Sequence, residues 1–121
     1  MKQRTKAYAI RIVSLVDALP NTRICSRLGQ QLLDAGTSVG ANYRAACRAK
    51  SLADFINKLR IVEEECDESL YWMEIMIETE QIKASRVQDL MNEGGQILAI
   101  VVASAKTARS SPSASIVNRK S

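Results

Sequence analysis

The residue types that most often carry catalysis are scarce in this chain. The sequence has no histidine, which removes the commonest general base and the commonest metal ligand. Cys25, Cys47 and Cys66 are far apart and form no CxxC pair, so we expect reduced thiols and no zinc site. We therefore expect no enzymatic activity, no catalytic residue, no cofactor and no metal.

One acidic residue still needs an explanation. Glu63 falls on the apolar face of a predicted helix, where a carboxylate could serve as a buried general base. The alternative is a buried carboxylate that accepts a hydrogen bond from Ser38, Asn42 or Arg11. We favour this second interpretation because neither a histidine nor a metal-ligand pattern accompanies Glu63.

The stretch AGTSVGANYRAACRAKS, from Ala35 to Ser51, looks at first like a glycine-rich phosphate loop. Such a loop follows a strand and opens a helix, whereas here a helical pattern precedes the glycines and resumes in register after them. Gly29, Gly36 and Gly40 fall on one side of that helix. Each interior glycine costs roughly 0.5–1 kcal/mol relative to alanine, so we interpret the three as a packing strip for a closely approaching helix.

The basic residues are the best candidates for binding another molecule. Residues 1–60 hold 11 Lys/Arg and 3 Asp/Glu, whereas residues 61–82 hold 8 acidic residues and no basic one. The candidates for phosphate contacts surround a predicted turn and the chain start: Arg44, Arg48, Lys50, Lys58, Arg60, Lys2, Arg4 and Lys6. No aromatic readout motif accompanies them, so we expect backbone contacts with little sequence preference. Ordinary solubilising charge is the alternative.

Four amphipathic helices account for most of the chain. The first spans about Arg4 to Leu19, before Pro20, and the second begins near Thr22 or Arg23. Ser51 and Asp54 predict the start of the third, which ends near Thr79. Ser85 and Gln88 predict a capping box for the fourth, which ends near Arg109. The inward faces include Tyr8, Ile12, Val13, Ile24, Leu32, Val39, Val62, Cys66, Gly94 and Ile97.

Short connections between these helices predict an all-α, antiparallel up-down four-helix bundle over residues 1–109. Residues 110–121 are predicted to form a flexible serine-rich tail. The longest uninterrupted apolar run, Ile97 to Ala103, is too short to span a bilayer, and no signal peptide is convincing. We therefore expect a cytoplasmic protein without a membrane partner.

The run QQLLDAGTSVGANYRAACRAKSLADFINKLRIVEEECDESLYWMEI resembles the signature of a family of four-helix-bundle proteins. Its founding members are encoded by intervening sequences of large-subunit (23S) rRNA genes, and related bundles are accessory proteins of diversity-generating retroelements. The resemblance covers roughly Ala7 to Ala108. It implies a homo-oligomeric ring, most simply a pentamer, and no catalytic residues. Ala45 and Cys66 depart from the family pattern, where Glu and Ala are usual.

Self-association is also predicted from the residues themselves. Ile61, Trp72 and Ile75 point away from the apolar stripe of the third helix, and Tyr71 flanks them. An aromatic and aliphatic outer face favours an oligomer interface, with cover from the C-terminal tail as the alternative. This face and the resemblance together lead us to expect an oligomeric accessory scaffold, and the resemblance implies that it associates with structured RNA or a reverse transcriptase. The alternative function is a protein-interaction scaffold with no nucleic-acid role.

Overall fold

A computed structural model describes residues 1–111 as four α-helices and their connections. They are α1 (Lys2–Asp17), α2 (Arg23–Cys47), α3 (Leu52–Glu78) and α4 (Ala84–Arg109). Each helix packs against the next one in the chain, and α4 also meets α1, which closes an antiparallel bundle. The predicted all-α four-helix fold is confirmed. The predicted tail begins at residue 110, and from Pro112 onward it lies outside the described residues.

Local sequence signals explain where α2 and α3 begin. The Thr22 hydroxyl accepts a hydrogen bond from the Cys25 backbone N–H, which caps α2 where the sequence predicted its start. At α3, the Ser51 hydroxyl accepts from the Asp54 N–H, and the Asp54 carboxylate accepts from the Lys50 N–H. By contrast, α1 begins at Lys2, two residues earlier than predicted.

The predicted capping box of α4 is wrong. This helix begins at Ala84, with Lys83 as its N-cap and no side-chain capping bond, so Ser85 already lies inside the first turn. The side chain of Gln88 instead donates to Asn92 one turn further along. The reason lies in the preceding connection, where Glu80 adopts a positive φ of 62° and Lys83 is extended. That geometry turns the chain into the helix before Ser85 is reached.

The glycine strip of α2 is the surface on which α1 packs. A Cβ atom added to Gly36 would lie 2.8 Å from two side-chain carbons of Ile12, and one added to Gly40 would lie 3.3 Å from the backbone of Thr5. At Gly29, the same atom would lie 3.1 Å from Leu19. Three turns of α2 thus lack side chains where α1 approaches, which confirms the packing interpretation.

A buried polar chain links α1, α3 and α4. Tyr8 donates its hydroxyl proton to Ser69, because the Ser69 hydroxyl itself donates to the backbone carbonyl of Cys66. The Cys66 thiol in turn donates to the carbonyl of Gly94. Burial raises the pKa of the Cys66 thiol to about 12 and also raises the pKa of Tyr8. Both groups therefore stay protonated and donate hydrogen bonds at neutral pH.

Two residues placed on the inward faces by periodicity are in fact exposed. Val13 is 47% exposed and Ile24 is 52% exposed. Each lies at the edge of a broad apolar stripe, and the bundle covers only the arc that faces two neighbouring helices. Conversely, Thr5 and Ser69 are fully buried polar residues that the periodicity did not single out. Within residues 1–111, none of the helices has the length and apolarity needed to cross a membrane.

Candidate nucleic-acid interface

The antiparallel packing gathers most of the basic residues at one end of the bundle. This end, which we call the basic end, contains the start of α1, the α2–α3 connection with its flanking turns, and the last turns of α4. Residues 1–6, 44–60 and 104–111 together carry ten Lys/Arg and a single acidic residue, Asp54. The basic members are Lys2, Arg4, Lys6, Arg44, Arg48, Lys50, Lys58, Arg60, Lys106 and Arg109.

Most of the predicted phosphate-contact residues are free to bind an anion. Six of them are exposed and form no ion pair within residues 1–111: Lys2, Lys6, Arg44, Arg48, Lys50 and Arg60. Lys58 lies 3.5 Å from Asp54 on the same helix, and both side chains are about one-third exposed. Such a surface pair contributes roughly 0–1 kcal/mol, so a phosphate can compete for Lys58.

Arg4 differs from the other predicted contacts because it is already engaged. Its guanidinium donates two hydrogen bonds of 2.8 Å to the Glu93 carboxylate and a third to Gln96. The Arg4 hydrogen bond holds the pKa of Glu93 below its usual range. We therefore assign Arg4 to the contact between α1 and α4 rather than to the exposed basic surface.

Two basic residues of this end, Lys106 and Arg109, were missed by the sequence interpretation. They lie more than forty residues from the α2–α3 connection, so no local motif connects them to it. Arg109 lines a shallow depression together with Arg60 and Asn57 of α3. The predicted topology could have identified them, because an up-down bundle places the end of its fourth helix beside the start of its third.

The predicted oligomer face of α3 is less exposed than expected. Tyr71 is 51% exposed, whereas Ile61, Trp72 and Ile75 are partly buried, and Trp72 packs against the core. The rings of Tyr71 and Trp72 meet edge to face at 5.1 Å. The Trp72 indole also donates to Glu68. An aromatic pair thus lies at the surface of α3, among acidic residues.

The acidic residues of α3 lie close to one another and to Asp34 of α2. The pKa of Glu65 is raised by partial burial and then by the negative charges of Glu68, Glu64 and Asp34. In the part of the chain that the structure describes, none of these four carboxylates forms an ion pair. The acidic face of α3 therefore repels anions.

The residues considered for catalysis are not assembled into a catalytic site. Glu63 is only partly buried, and among residues 1–111 its carboxylate accepts no hydrogen bond, so the predicted bond from Ser38, Asn42 or Arg11 is wrong. The reason is local. The Ser38 hydroxyl donates to the Asp34 carbonyl, and the Asn42 amide donates to the Ser38 carbonyl, so both side chains bond to their own helix.

The three cysteines do not form disulfides with one another. All three are free thiols, with Cys25 and Cys66 buried and Cys47 exposed. No group of three or more His, Cys, Asp or Glu residues within residues 1–111 is placed to hold a metal ion. The described residues therefore offer charge and helix surface, and no metal-ligand set is found among them.

Comparisons with known proteins identify the family to which the chain belongs. The model of the family "23S rRNA-intervening sequence protein" matches residues 1–103. A solved structure from Bacteroides thetaiotaomicron, a protein of unknown function from the S23 ribosomal protein family, is 38% identical. The similarity covers 87% of this chain and 97% of that one, with a TM-score of 0.82. No curated protein matches the chain. The chain belongs to the 23S rRNA-intervening sequence protein family.

Proposed function

We propose that this protein is a non-catalytic, homo-oligomeric scaffold that binds structured RNA through the phosphate backbone at its basic end. The single observation that carries the proposal is the composition of that end, where nine Lys/Arg besides the engaged Arg4 accompany one acidic residue. Phosphate contacts of this kind release counterions and supply most of the sequence-independent affinity of nucleic-acid-binding proteins. Family membership supports RNA over other anionic polymers, because the family is named for an rRNA intervening sequence.

Oligomerisation would strengthen this activity. The outer face of α3, formed by Ile61, Tyr71, Trp72 and Ile75, is the proposed contact between protomers, and a pentameric ring is the assembly we propose. A ring repeats the basic end once per protomer, so individually weak phosphate contacts sum to useful avidity. The acidic face of α3 favours a defined orientation between protomers, since it attracts basic surface and repels RNA.

The proposal is tested by removing charge at two places on the molecule. The first variant carries Arg44→Ala, Arg48→Ala and Lys50→Ala at the basic end. The matched control carries Arg23→Ala, Arg27→Ala and Arg86→Ala, which removes the same charge from exposed residues near the opposite end. Fluorescence anisotropy with labelled structured RNA, repeated over a range of salt concentrations, measures the affinity and its salt dependence.

We expect the first variant to bind RNA more weakly and with a shallower dependence of log K on log salt. The slope should fall by up to about 2 to 3, at about 0.7 to 0.9 per lost phosphate contact. The control should keep most of its affinity and its slope. Equal losses of RNA affinity in both variants would show that the effect depends only on the net charge of the protein. No binding by the wild type at low salt would favour the alternative of a protein-interaction scaffold without a nucleic-acid role.

Association with a reverse transcriptase stays a prediction from the resemblance, and no feature of the described residues identifies that partner. The expectation that the protein is not an enzyme also stays a prediction. It rests on the absence of histidine from the sequence and on the lack of a nucleophile–base pair among the described residues.

A further inference from the structure

The side of α1 that points away from the bundle is both apolar and basic. Ile10 is 57% exposed and Val13 is 47% exposed, so both side chains meet solvent in a single protomer. Lys6 lies one turn before Ile10 and Lys2 lies one turn before Lys6, and both lysines are exposed. At 100° per residue these four residues fall within about 80° of one another, and we call them the outer face of α1. Adjacent exposed apolar residues with a charged border are typical of a contact surface.

The outer face of α3 has the same residue spacing with the opposite charge. In both helices, two charged residues one turn apart are followed seven residues later by an aliphatic one: Lys2, Lys6 and Val13 in α1, and Glu64, Glu68 and Ile75 in α3. In the same alignment Ile10 of α1 corresponds to Trp72 of α3, beside the exposed Tyr71. Glu64 and Glu68 are exposed and form no ion pair within residues 1–111. The two faces therefore match in charge and in apolar content.

The fold allows these two faces to meet between copies of the chain. As the first and third helices of an up-down bundle, α1 and α3 run in the same direction. Each helix packs against the next, so α1 and α3 occupy diagonal positions and their outer faces lie on different sides of the molecule. Rotation about an axis along the bundle keeps all protomers in one direction, and it can bring α3 of one copy onto α1 of the next. Such a head-to-tail contact is parallel, as the matched spacing requires.

Charge disfavours the other ways of pairing these faces. Any contact between two copies of α3 would bring acidic residues together, because residues 61–82 hold 8 acidic residues and no basic one. An antiparallel contact of α3 with α1 would place Asp17 beside Asp67 and Glu68. It would keep one favourable pair, Lys6 with Glu78. The parallel contact has two favourable pairs and one unfavourable approach, of Asp17 to Glu78, so it is the better of the two.

We propose that the outer face of α3 docks in parallel on the outer face of α1 of a second copy of this chain. Glu64 then pairs with Lys2, and Glu68 pairs with Lys6. This inference rests on the oligomer in the proposed function and identifies the two surfaces that form it. Exposed ion pairs contribute little affinity, so the apolar residues between them hold the contact and the charges determine its register.

The contact divides the basic residues of the chain between two roles. Lys2 and Lys6 meet the neighbouring copy, whereas Arg44, Arg48 and Lys50 at the α2–α3 connection stay exposed for phosphates. The assembly and the binding of RNA can therefore be tested by separate substitutions.

Charge reversal tests this contact because a second reversal can restore it. The α1 variant carries Lys2→Glu and Lys6→Glu, the α3 variant carries Glu64→Lys and Glu68→Lys, and the combined variant carries all four changes. Light scattering after size-exclusion chromatography, at low salt and over a range of protein concentrations, gives the oligomer size and the dissociation constant between protomers. Circular dichroism establishes that each variant folds.

We expect the α1 variant and the α3 variant each to raise the dissociation constant between protomers about tenfold or more, and the combined variant to restore it. The control, Lys106→Glu with Arg109→Glu, makes the same change in net charge as the α1 variant at exposed residues of α4 and should keep the wild-type size. An α1 variant of unchanged size would overturn the inference, because α3 would then meet another surface. Failure of the combined variant to reassemble would overturn it as well.

Fluorescence anisotropy with labelled RNA keeps this inference apart from the proposed function. Reassembly of the combined variant, together with no RNA binding by the wild type, would support the contact and refute the RNA-binding role. A monomeric wild type that binds RNA would overturn the contact and leave phosphate binding at the basic end intact.

Discussion

At the scale of single residues, two glycines should respond oppositely to the same added methyl group. Gly36→Ala places a Cβ atom 2.8 Å from Ile12, against a helix that cannot easily move, whereas a Cβ at Gly95 meets nothing within 4 Å. We expect Gly36→Ala to destabilise the bundle by about 1–3 kcal/mol through overpacking. Gly95→Ala should stabilise it by about 0.5–1 kcal/mol through helix propensity. Urea denaturation of both variants measures the two free energies of unfolding.

An unchanged or raised denaturation midpoint for Gly36→Ala would show that α1 can shift away from the glycine strip at little cost. Gly36→Leu then serves as the stricter variant, because its longer side chain cannot be accommodated by a small shift. Since Gly95 is on the exposed side of α4, the pair separates the effect of packing from the effect of propensity.

The glycines also show what residue patterns can and cannot predict. The strip on α2 was predictable because three glycines recur at helical spacing, and only a close neighbour offsets their cost. Gly94 was placed on the inward face but not identified as a contact point. A Cβ there would lie 2.7 Å from the Tyr8 hydroxyl and 2.9 Å from Leu70. A single glycine shows no repeated spacing along the helix, so its contact on another helix cannot be inferred from the sequence.

At the scale of whole helices, α1 is tied to α4 by the ion pair of Arg4 and Glu93 and by the packing of Tyr8 against Gly94. We expect Arg4→Glu to loosen the first turns of α1, because it places two carboxylates where an ion pair stood. The double variant Arg4→Glu with Glu93→Arg should restore the contact. Amide hydrogen exchange along α1 measures the loosening, and Lys6→Glu is the control because Lys6 is exposed and forms no ion pair within residues 1–111.

The same contact predicts a dependence on acid. The pKa of Glu93 is lowered in the folded protein, so its contribution is present above the ordinary carboxyl value of 4.5 and is lost as the pH falls through the lowered folded value. Hydrogen exchange in α1 should therefore accelerate below about pH 4.5 relative to α2, after correction for intrinsic rates. Equal protection in wild type and Arg4→Glu would show that α1 is held by its apolar contacts alone.

Helix existence and order were predictable because apolar periodicity is strong over four long segments. The start of α4 was not, since the backbone turn at Glu80, rather than the side chains of Ser85 and Gln88, determines where the chain enters the helix. The basic end was predicted from α2 and α3, and the topology explains the addition of Lys106 and Arg109.

At the scale of the whole molecule, the apolar and aromatic residues on the outer face of α3 predict an assembly whose avidity can be measured. We expect Tyr71→Ser with Ile75→Ser to give smaller species in light scattering after size-exclusion chromatography, with helical content unchanged. Trp72 is less suitable because it packs against the core, so its loss would also destabilise the protomer. Val102→Ser, at a residue that is 40% exposed on another helix, is the control.

Because the double variant changes no charge, its effect on RNA binding isolates the contribution of assembly. A long RNA can reach several protomers of a ring, so we expect its affinity to fall about 100-fold or more when the ring is broken. A short oligonucleotide that one protomer fills should bind equally to the wild type and the variant. A monomeric wild type would contradict the assembly outright. Equal losses for long and short RNA would instead show that Tyr71 and Ile75 lie within the RNA-binding surface, and the proposed division between an assembly face and a basic end would then be wrong.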